Sequence, residues 1–507
     1  QVEVQSRDLL EGLGTHAEAG EGLAQLRVQL VPLLWTQLQA LSLFGSEPCS
    51  LERLQSRLDP TYGRWLAESV RVLVEAGYLS ASDAGYAVVE SLPEAARDGW
   101  DAWGRAREDW MRHADLRVQV PLLESTLRAL PRILTGEMPA TDVLFAQSSV
   151  ERVEGVYRDN AQADYFNAVL GHSLRAYAAA RLGADAAPLR VIEVGAGTGG
   201  TSVLALRVLS GYGAGLGEYC YTDLSRAFLH HAQDHLQPEY PALRCALFDL
   251  ERGPWEQGIE RGAYDVAIAT NVLHATRDIR RTLRHVKATL RPGGVLLLNE
   301  MSHNGGLLTH LTFGLLKGWW LYEDAELRMP GGPALSAQTW RRVLEDEGLV
   351  QVSFPGAAAS ALGQQVIVAY SDGVEERSGE EVRVPSATAT ATEESAAVVA
   401  ADAETARPVS ARTSAAPMRA ARVFHGSAVT SQRVGEHARD TVRDCVSRAL
   451  RMPLGAIDNE RSFSEYGVDS IVAVDLVNVL NKRFGIVLQT TVLFDHNSVD
   501  RLSNFIV

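Results

Sequence analysis

The spacing of apolar positions changes period several times along the chain, and each change predicts a different kind of element. From Leu23 to Leu43 and from Leu66 to Gly77 apolar residues recur at helical spacing. The stretch Tyr62 to Leu79, followed by Gly85-Tyr-Ala-Val-Val, predicts a helix and a small wing. Residues 1–150 therefore read as a mainly helical unit. Near position 191 the pattern becomes continuous: Val191-Ile-Glu-Val runs straight into Gly195-Ala-Gly-Thr-Gly-Gly200, as where a buried parallel strand turns into a helix. Further short apolar runs at 218–225, 245–250, 264–276 and 290–300 predict four more strands, and 362–370 a final one. Strands alternating with helical stretches predict an α/β unit over 151–370.

Then the pattern stops. Between Ser371 and Val423 there is no Leu, Ile, Phe, Tyr or Trp, and Ala, Ser, Thr, Pro and Glu dominate. Such a segment cannot bury enough apolar surface to offset its ordering entropy, so 371–423 reads as a flexible linker. Helical periodicity resumes over Glu436–Leu450, Ile471–Phe484 and Val499–Ile506, which predicts a small separate unit over 424–507.

Composition narrows the classes. A net charge of −15 argues against nucleic acid or an anionic membrane as main partner. Cysteines at 49, 220, 245 and 445 show neither metal-ligand spacing nor a disulfide rhythm, which points to a reducing cytoplasm. No apolar run is long enough to suggest a membrane helix. Within 51–90 four basic residues face six acidic ones, so the helix and wing lack a phosphate footprint and read instead as a lid. The chain begins with Gln1 and ends in Asn504-Phe-Ile-Val507, as a piece of a longer polypeptide would.

The glycine cluster is where chemistry enters. Gly195 and Gly197 let a ligand approach the backbone, and the helix beyond presents free N–H groups. With Gly200 they also satisfy the dinucleotide pattern G-x-G-x-x-G, so the cluster alone is ambiguous. The succeeding acids, Asp223 after the second strand and Asp249 after the third, and the turn Arg291-Pro-Gly-Gly294 favour one reading. Together these segments resemble the class I methyltransferases that use S-adenosylmethionine. The resemblance implies a Rossmann-like fold and places Glu193, Gly195, Gly197, Asp223, Asp249 and Asn271 around that cofactor, Asp223 at the ribose and Asp249 near adenine.

His274 and Glu300 end the fourth and fifth strand runs, so both belong at the carboxyl edge of the sheet, where ligands bind. An imidazole titrates near neutrality, and a carboxylate on its other nitrogen fixes the tautomer and stabilises the cation. This His–Glu pair resembles that of polyketide synthase C-methyltransferase domains. The resemblance implies an α-proton abstraction from a β-ketoacyl thioester followed by carbon methylation; oxygen methylation of a β-hydroxyl or enol, or an inactive scaffold, are the rival readings. It further implies substrate-facing roles for Tyr165 and Trp319, and a pocket-closing segment over 313–324. No metal is needed. In the last unit, Asp469-Ser470-Ile471 opens a helix and resembles the four-helix acyl carrier proteins of polyketide synthases. That implies 4'-phosphopantetheine on Ser470, attached by a phosphopantetheinyl transferase, with ketosynthase and ketoreductase domains as neighbours in a synthase of the type that lacks its own acyltransferase. The carrier region 431–507 has nine basic and ten acidic residues, which leaves little net charge for docking.

Overall fold

The computed structural model describes residues 2–13, 17–144, 161–185, 187–374 and 428–507, apart from positions 467, 469, 489 and 491. Beyond its first four residues the expected linker 371–423 lies outside these, as do Gly467 and Asp469.

Seven strands form one sheet in the order β5-β4-β3-β6-β7-β9-β8. They are β3 Leu189–Val194, β4 Leu216–Asp223, β5 Leu243–Leu247, β6 Tyr264–Thr270, β7 Leu290–Met301, β8 Leu349–Ser353 and β9 Gln364–Ser371. β3 pairs in parallel with both β4 and β6, so the chain reverses direction across the sheet between β3 and β6. At such a switch point two loops part at the carboxyl ends of adjacent strands and leave a crevice. β9 runs antiparallel to β7 and to β8 and closes the far edge. The strands read as uninterrupted apolar runs because helices cover both faces: Ile192, Val194, Ala267, Ala269, Leu296 and Leu298 pack with Trp340 and Val343 on one side. Val191, Ile268 and Leu297 pack with Phe166, Leu170 and Leu206 on the other.

Two boundaries differ from expectation. The fourth strand ends at Thr270, and a short 3₁₀ turn, Leu273–Ala275, carries His274. The chain bends there because Asn271 adopts a left-handed φ of 52°. The first helix, Val2–Leu13, turns Leu9 and Leu10 against the sheet-side core with the helix Ala161–Ala184, apart from the core of the later N-terminal helices.

The N-terminal unit expected to form a lid is mainly helical, as its periodicity predicts, with one hairpin of β1 (Leu79–Ser82) and β2 (Gly85–Val88). Helices Ala17–Ala40, Gly63–Glu75 and Ala114–Leu134 bury Leu30, Leu34, Trp65, Leu66, Leu123 and Leu127. Their core also takes Leu311, Leu315, Trp319, Trp320 and Ala334 from the segment after β7. Polar contacts pin that seam. Trp65 donates Nε1–H to the His310 carbonyl at 2.9 Å, and the Ser69 hydroxyl lies 2.7 Å from His310 Nε2. Burial pushes the His310 pKa down to about 3, so the ring sits there uncharged, stacked on Trp65.

The last unit consists of helices Ala428–Leu450, Ser470–Phe484, Val492–Asp495 and Val499–Ile506 around Val442, Val446, Leu476, Leu480 and Leu502. Ser470 opens the second of them. Thr490 donates to Asp142 at 2.6 and 2.7 Å, and Arg451 pairs with Asp234. Ala227 of the helix Arg226–His235 packs against the unit's core.

Candidate active site

β3 delivers Glu193 and the glycine turn to the crevice. Glu193 is almost fully buried, and its Oε2 accepts from the Tyr219 hydroxyl at 2.6 Å and from Ser202 at 2.5 Å. Burial raises its pKa to about 7 against the lowering effect of those two donors, and the charge of Asp223 adds to the rise. Gly195 has φ 62°, and a Cβ there would fall 2.3 Å from Val272 Cγ2, so a side chain would close the passage between the β3 and β6 loops. Asp223 ties two loops together: one oxygen accepts the Gly197 N–H at 2.9 Å, the other the Ser225 N–H at 2.7 Å. Asp249 accepts the Glu251 N–H at 2.9 Å, and its own N–H donates to Gln257. Glu193, Gly195, Gly197, Asp223, Asp249 and Asn271 all line one cavity of about 490 Å³.

A second cavity, about 310 Å³, adjoins it. Thr270, Asn271, Ala275, Phe313, Leu316 and Gly318 belong to the walls of both. Asn271 stands at this junction with its side-chain Oδ1 buried and unpartnered among the described residues. A non-glycine residue held at positive φ beside two cavities is the kind of strain that persists where the surroundings over-determine it.

His274 lines the second cavity. Its Nδ1 lies 2.6 Å from Glu300 Oε2, and both side chains are buried. Glu300 Oε1 meanwhile accepts the N–H groups of Leu273 at 2.8 Å and Val272 at 3.2 Å. A carboxylate only accepts, so Nδ1 is the ring nitrogen that carries the proton, and Nε2 keeps its lone pair. The ring meets Trp319 edge-on at 5.6 Å between centroids, and Trp319 lines the same cavity.

The turn that carries His274 is held by a residue the sequence does not single out. Arg328, almost fully buried, uses every guanidinium N–H: Nη1 donates to the His274 and Pro333 carbonyls, Nη2 to the Thr276 carbonyl and Asp324, and Nε to Asp324. The i, i+4 spacing of Asp324 and Arg328 is the one signal that could have found it.

Tyr165, expected to face the substrate, is placed elsewhere in the structure. It packs in the sheet-side core against Phe166, 3.0 Å from where a Gly356 Cβ would stand, and lines neither cavity. The next helical positions, Phe166 and Asn167, face the second cavity instead. Ser470 begins its helix; its partner residue Asp469 lies outside the described residues. Among the described residues no group of three His, Cys, Asp or Glu stands together as a metal site.

A methyltransferase-domain family model matches residues 192–296, and a phosphopantetheine attachment-site model matches 440–506. Polyketide synthase PksM of Bacillus subtilis (strain 168) is 41% identical over 478 residues, 93% of this chain. Polyketide synthase PksR of the same organism is 39% identical over 94% of it. The chain spans only 11% and 17% of those two proteins. Among solved structures, the DszA carbon methyltransferase is 32% identical with a TM-score of 0.66, covering 73% of this chain and 94% of its own. The CurJ carbon methyltransferase is 28% identical with a TM-score of 0.63, covering 73% and 97%. On the pattern of strands, the His–Glu pair at their carboxyl edge and these likenesses, the chain belongs to the polyketide synthase carbon methyltransferases, with a phosphopantetheine carrier domain fused behind.

Proposed function

We propose that this chain methylates the α-carbon of a β-ketoacyl thioester carried on the 4'-phosphopantetheine of Ser470, with S-adenosylmethionine as donor. The observation that carries the proposal is His274, with Nδ1 held by Glu300, in the wall of a cavity that adjoins the glycine-loop cavity at Asn271.

The larger cavity fits the donor. Its 490 Å³ lies within the roughly 300–1,000 Å³ usual for small-molecule sites. Asp223 offers a carboxylate for ribose hydroxyls, and Glu193 and Asp249 add acids for a ligand that bears positive charge. The unpartnered Oδ1 of Asn271 suits a polar group placed between the cavities. When bound, S-adenosylmethionine supplies an electrophilic methyl group.

The chain's own residues then have separable tasks. The α-carbon of a β-ketoacyl thioester loses a proton readily because two carbonyls share the resulting charge. His274 Nε2 accepts that proton, and Glu300 stabilises the imidazolium through Nδ1–H. Arg328 holds the turn that aims the ring. Trp319 and the lid seam keep water from the resulting carbanion. By this reading the lid comprises residues 1–150 less the first helix, the core 151–370, the linker 371–423 and the carrier 424–507. The linker keeps the carrier's cargo at high effective concentration. The chain works in the cytoplasm beside other synthase domains, modified by a phosphopantetheinyl transferase. Among the described residues no helix is long and apolar enough to cross a membrane.

The test is intact-mass analysis of the pantetheinylated chain loaded with acetoacetyl or β-hydroxybutyryl cargo. The proposal expects a gain of one methyl on the keto cargo alone. A gain on the hydroxy cargo alone would favour oxygen methylation, and a gain on neither an inactive scaffold.

A further inference from the structure

We infer that His303 forms a hydrogen-bond subsite for the carbonyl oxygen that becomes negative as the acyl chain loses its α-proton. This rests on the functional reading above and assigns a role that reading leaves open.

His303 follows β7 and lines the same cavity as His274. Its Nδ1 accepts the backbone N–H of Gly305 at 2.9 Å. A backbone N–H can only donate, so Nδ1 must carry a lone pair and the neutral ring's proton sits on Nε2. The tautomer is thus the reverse of that at His274: one histidine offers the cavity a lone pair, the other an N–H. Burial, and then the charge of Arg27, lower the His303 pKa, so the ring resists a second proton and stays a neutral donor. Among the described residues nothing takes a hydrogen bond from its Nε2. Gly363, at φ 109°, keeps the space beside it open: a Cβ there would lie 3.3 Å from Nε2.

The same walls hold other polar atoms that the fold leaves unsatisfied. Asn299 Oδ1 and Gln364 Oε1 are buried without partners among the described residues, and both line this cavity. Buried polar groups are nearly always paired, so several unpaired around one cavity mark a place where a polar ligand completes the set.

The α C–H bond breaks and its proton goes to His274 Nε2. The bonding pair forms the enolate C=C, and the displaced carbonyl π pair rests on oxygen, where the His303 Nε2–H meets it. An N–H fixed before the charge develops binds the enolate oxygen more strongly than the neutral carbonyl, so it lowers the barrier more than it raises ground-state affinity.

Two near-isosteric variants separate this from a structural role. His303→Asn puts an amide oxygen where Nδ1 stands, keeps an acceptor for the Gly305 N–H and removes the group facing the cavity. His303→Gln reaches the Nε2 position with an amide N–H and removes the loop acceptor. Two readouts are measured in the full chain: exchange of the acetoacetyl α-hydrogens with heavy water, without any methyl donor, and kcat and KM on an acetoacetyl pantetheine thioester. His303→Asn should slow exchange and kcat by on the order of 10²-fold with KM changed little. His303→Gln should stay within a few-fold of the natural chain. Wild-type exchange together with the reverse order, an equal loss in both variants or a loss in neither overturns the subsite alone. Absence of exchange in the natural chain overturns the functional reading and the subsite with it.

Discussion

Replacing Glu300 by Gln changes one atom, and the geometry predicts a large effect. The carboxylate accepts three hydrogen bonds, from His274 Nδ1 at 2.6 Å, Leu273 N–H at 2.8 Å and Val272 N–H at 3.2 Å. Gln must present its NH₂ to one side of that set. Facing the two backbone N–H groups would oppose donors to donors in a fully buried site, which typically costs about 1–3 kcal/mol for each orphaned group. The cheaper solution turns the amide oxygen to the backbone and the NH₂ to Nδ1. The imidazole then has to accept at Nδ1, and its proton moves to Nε2, where the lone pair was needed. Loss of the correct tautomer in the serine-protease triad lowers kcat by about 10⁴, although geometry survives. Glu300→Gln should therefore lower methylation by on the order of 10³ to 10⁴, comparable to or beyond the ~10² to 10⁴ expected for His274→Ala. Rapid-quench methylation of acetoacetyl-loaded protein measures the rate, and calorimetry with S-adenosylmethionine checks that affinity is kept. A Glu300→Gln chain that retains its rate within several-fold would refute the tautomer argument. Equal loss of rate and cofactor affinity would make Glu300 a structural residue.

Asp223→Ala removes an acceptor for ribose and also releases the Gly197 and Ser225 N–H groups; at about 1.5–3 kcal/mol for bonds to a charged group, cofactor affinity by calorimetry should fall roughly ten- to a hundredfold. Glu193 has a folded pKa raised to about 7 from 4.5, so its stabilising effect is complete below pH 4.5 and is lost as pH rises through 7. The shift corresponds to at most about 3 kcal/mol, and chemical denaturation of Glu193→Gln without cofactor should show a flatter stability profile across that window than the natural chain. Arg328→Lys keeps a charge but not five fixed donors, so methylation should drop at least tenfold on the order-of-magnitude scale of a lost bidentate network; unchanged kcat would remove Arg328 from the support of the His274 turn. Ser470→Ala should abolish pantetheinylation by mass spectrometry while cofactor binding persists, because none of the described carrier residues lines the cavity that holds Glu193, Asp223 and Asn271.

Most of the sheet was legible because buried strands write themselves as unbroken apolar runs, but β8 was not, since only Leu349 and Val352 of its five residues are buried and so short a half-exposed run carries no such signature. The residues at the carboxyl edge were legible too, since β3, β4, β6 and β7 must deliver Glu193, Asp223, Asn271 and Glu300 to one side. What periodicity could not show is partnership across long separations. The lid's core is completed by Leu315 and Trp320, and Tyr62 donates to the Leu315 carbonyl 253 positions away, a contact with no local signature. Tyr165 illustrates a finer limit. One step along a helix turns a side chain by about 100°, which separates a packed tyrosine from the cavity-facing Phe166 and Asn167. Arg328 and the tautomer of His303 escaped because both are set by hydrogen bonds with backbone groups, which any residue supplies.

The most direct test of the central claim is fragmentation of the pantetheine-bound product after a single turnover of acetoacetyl-loaded protein with S-adenosylmethionine. The account predicts one added methyl on the carbon between the two carbonyls, absent from the His274→Ala chain. A methyl on oxygen, or the same product from the alanine variant at an undiminished rate, would contradict it.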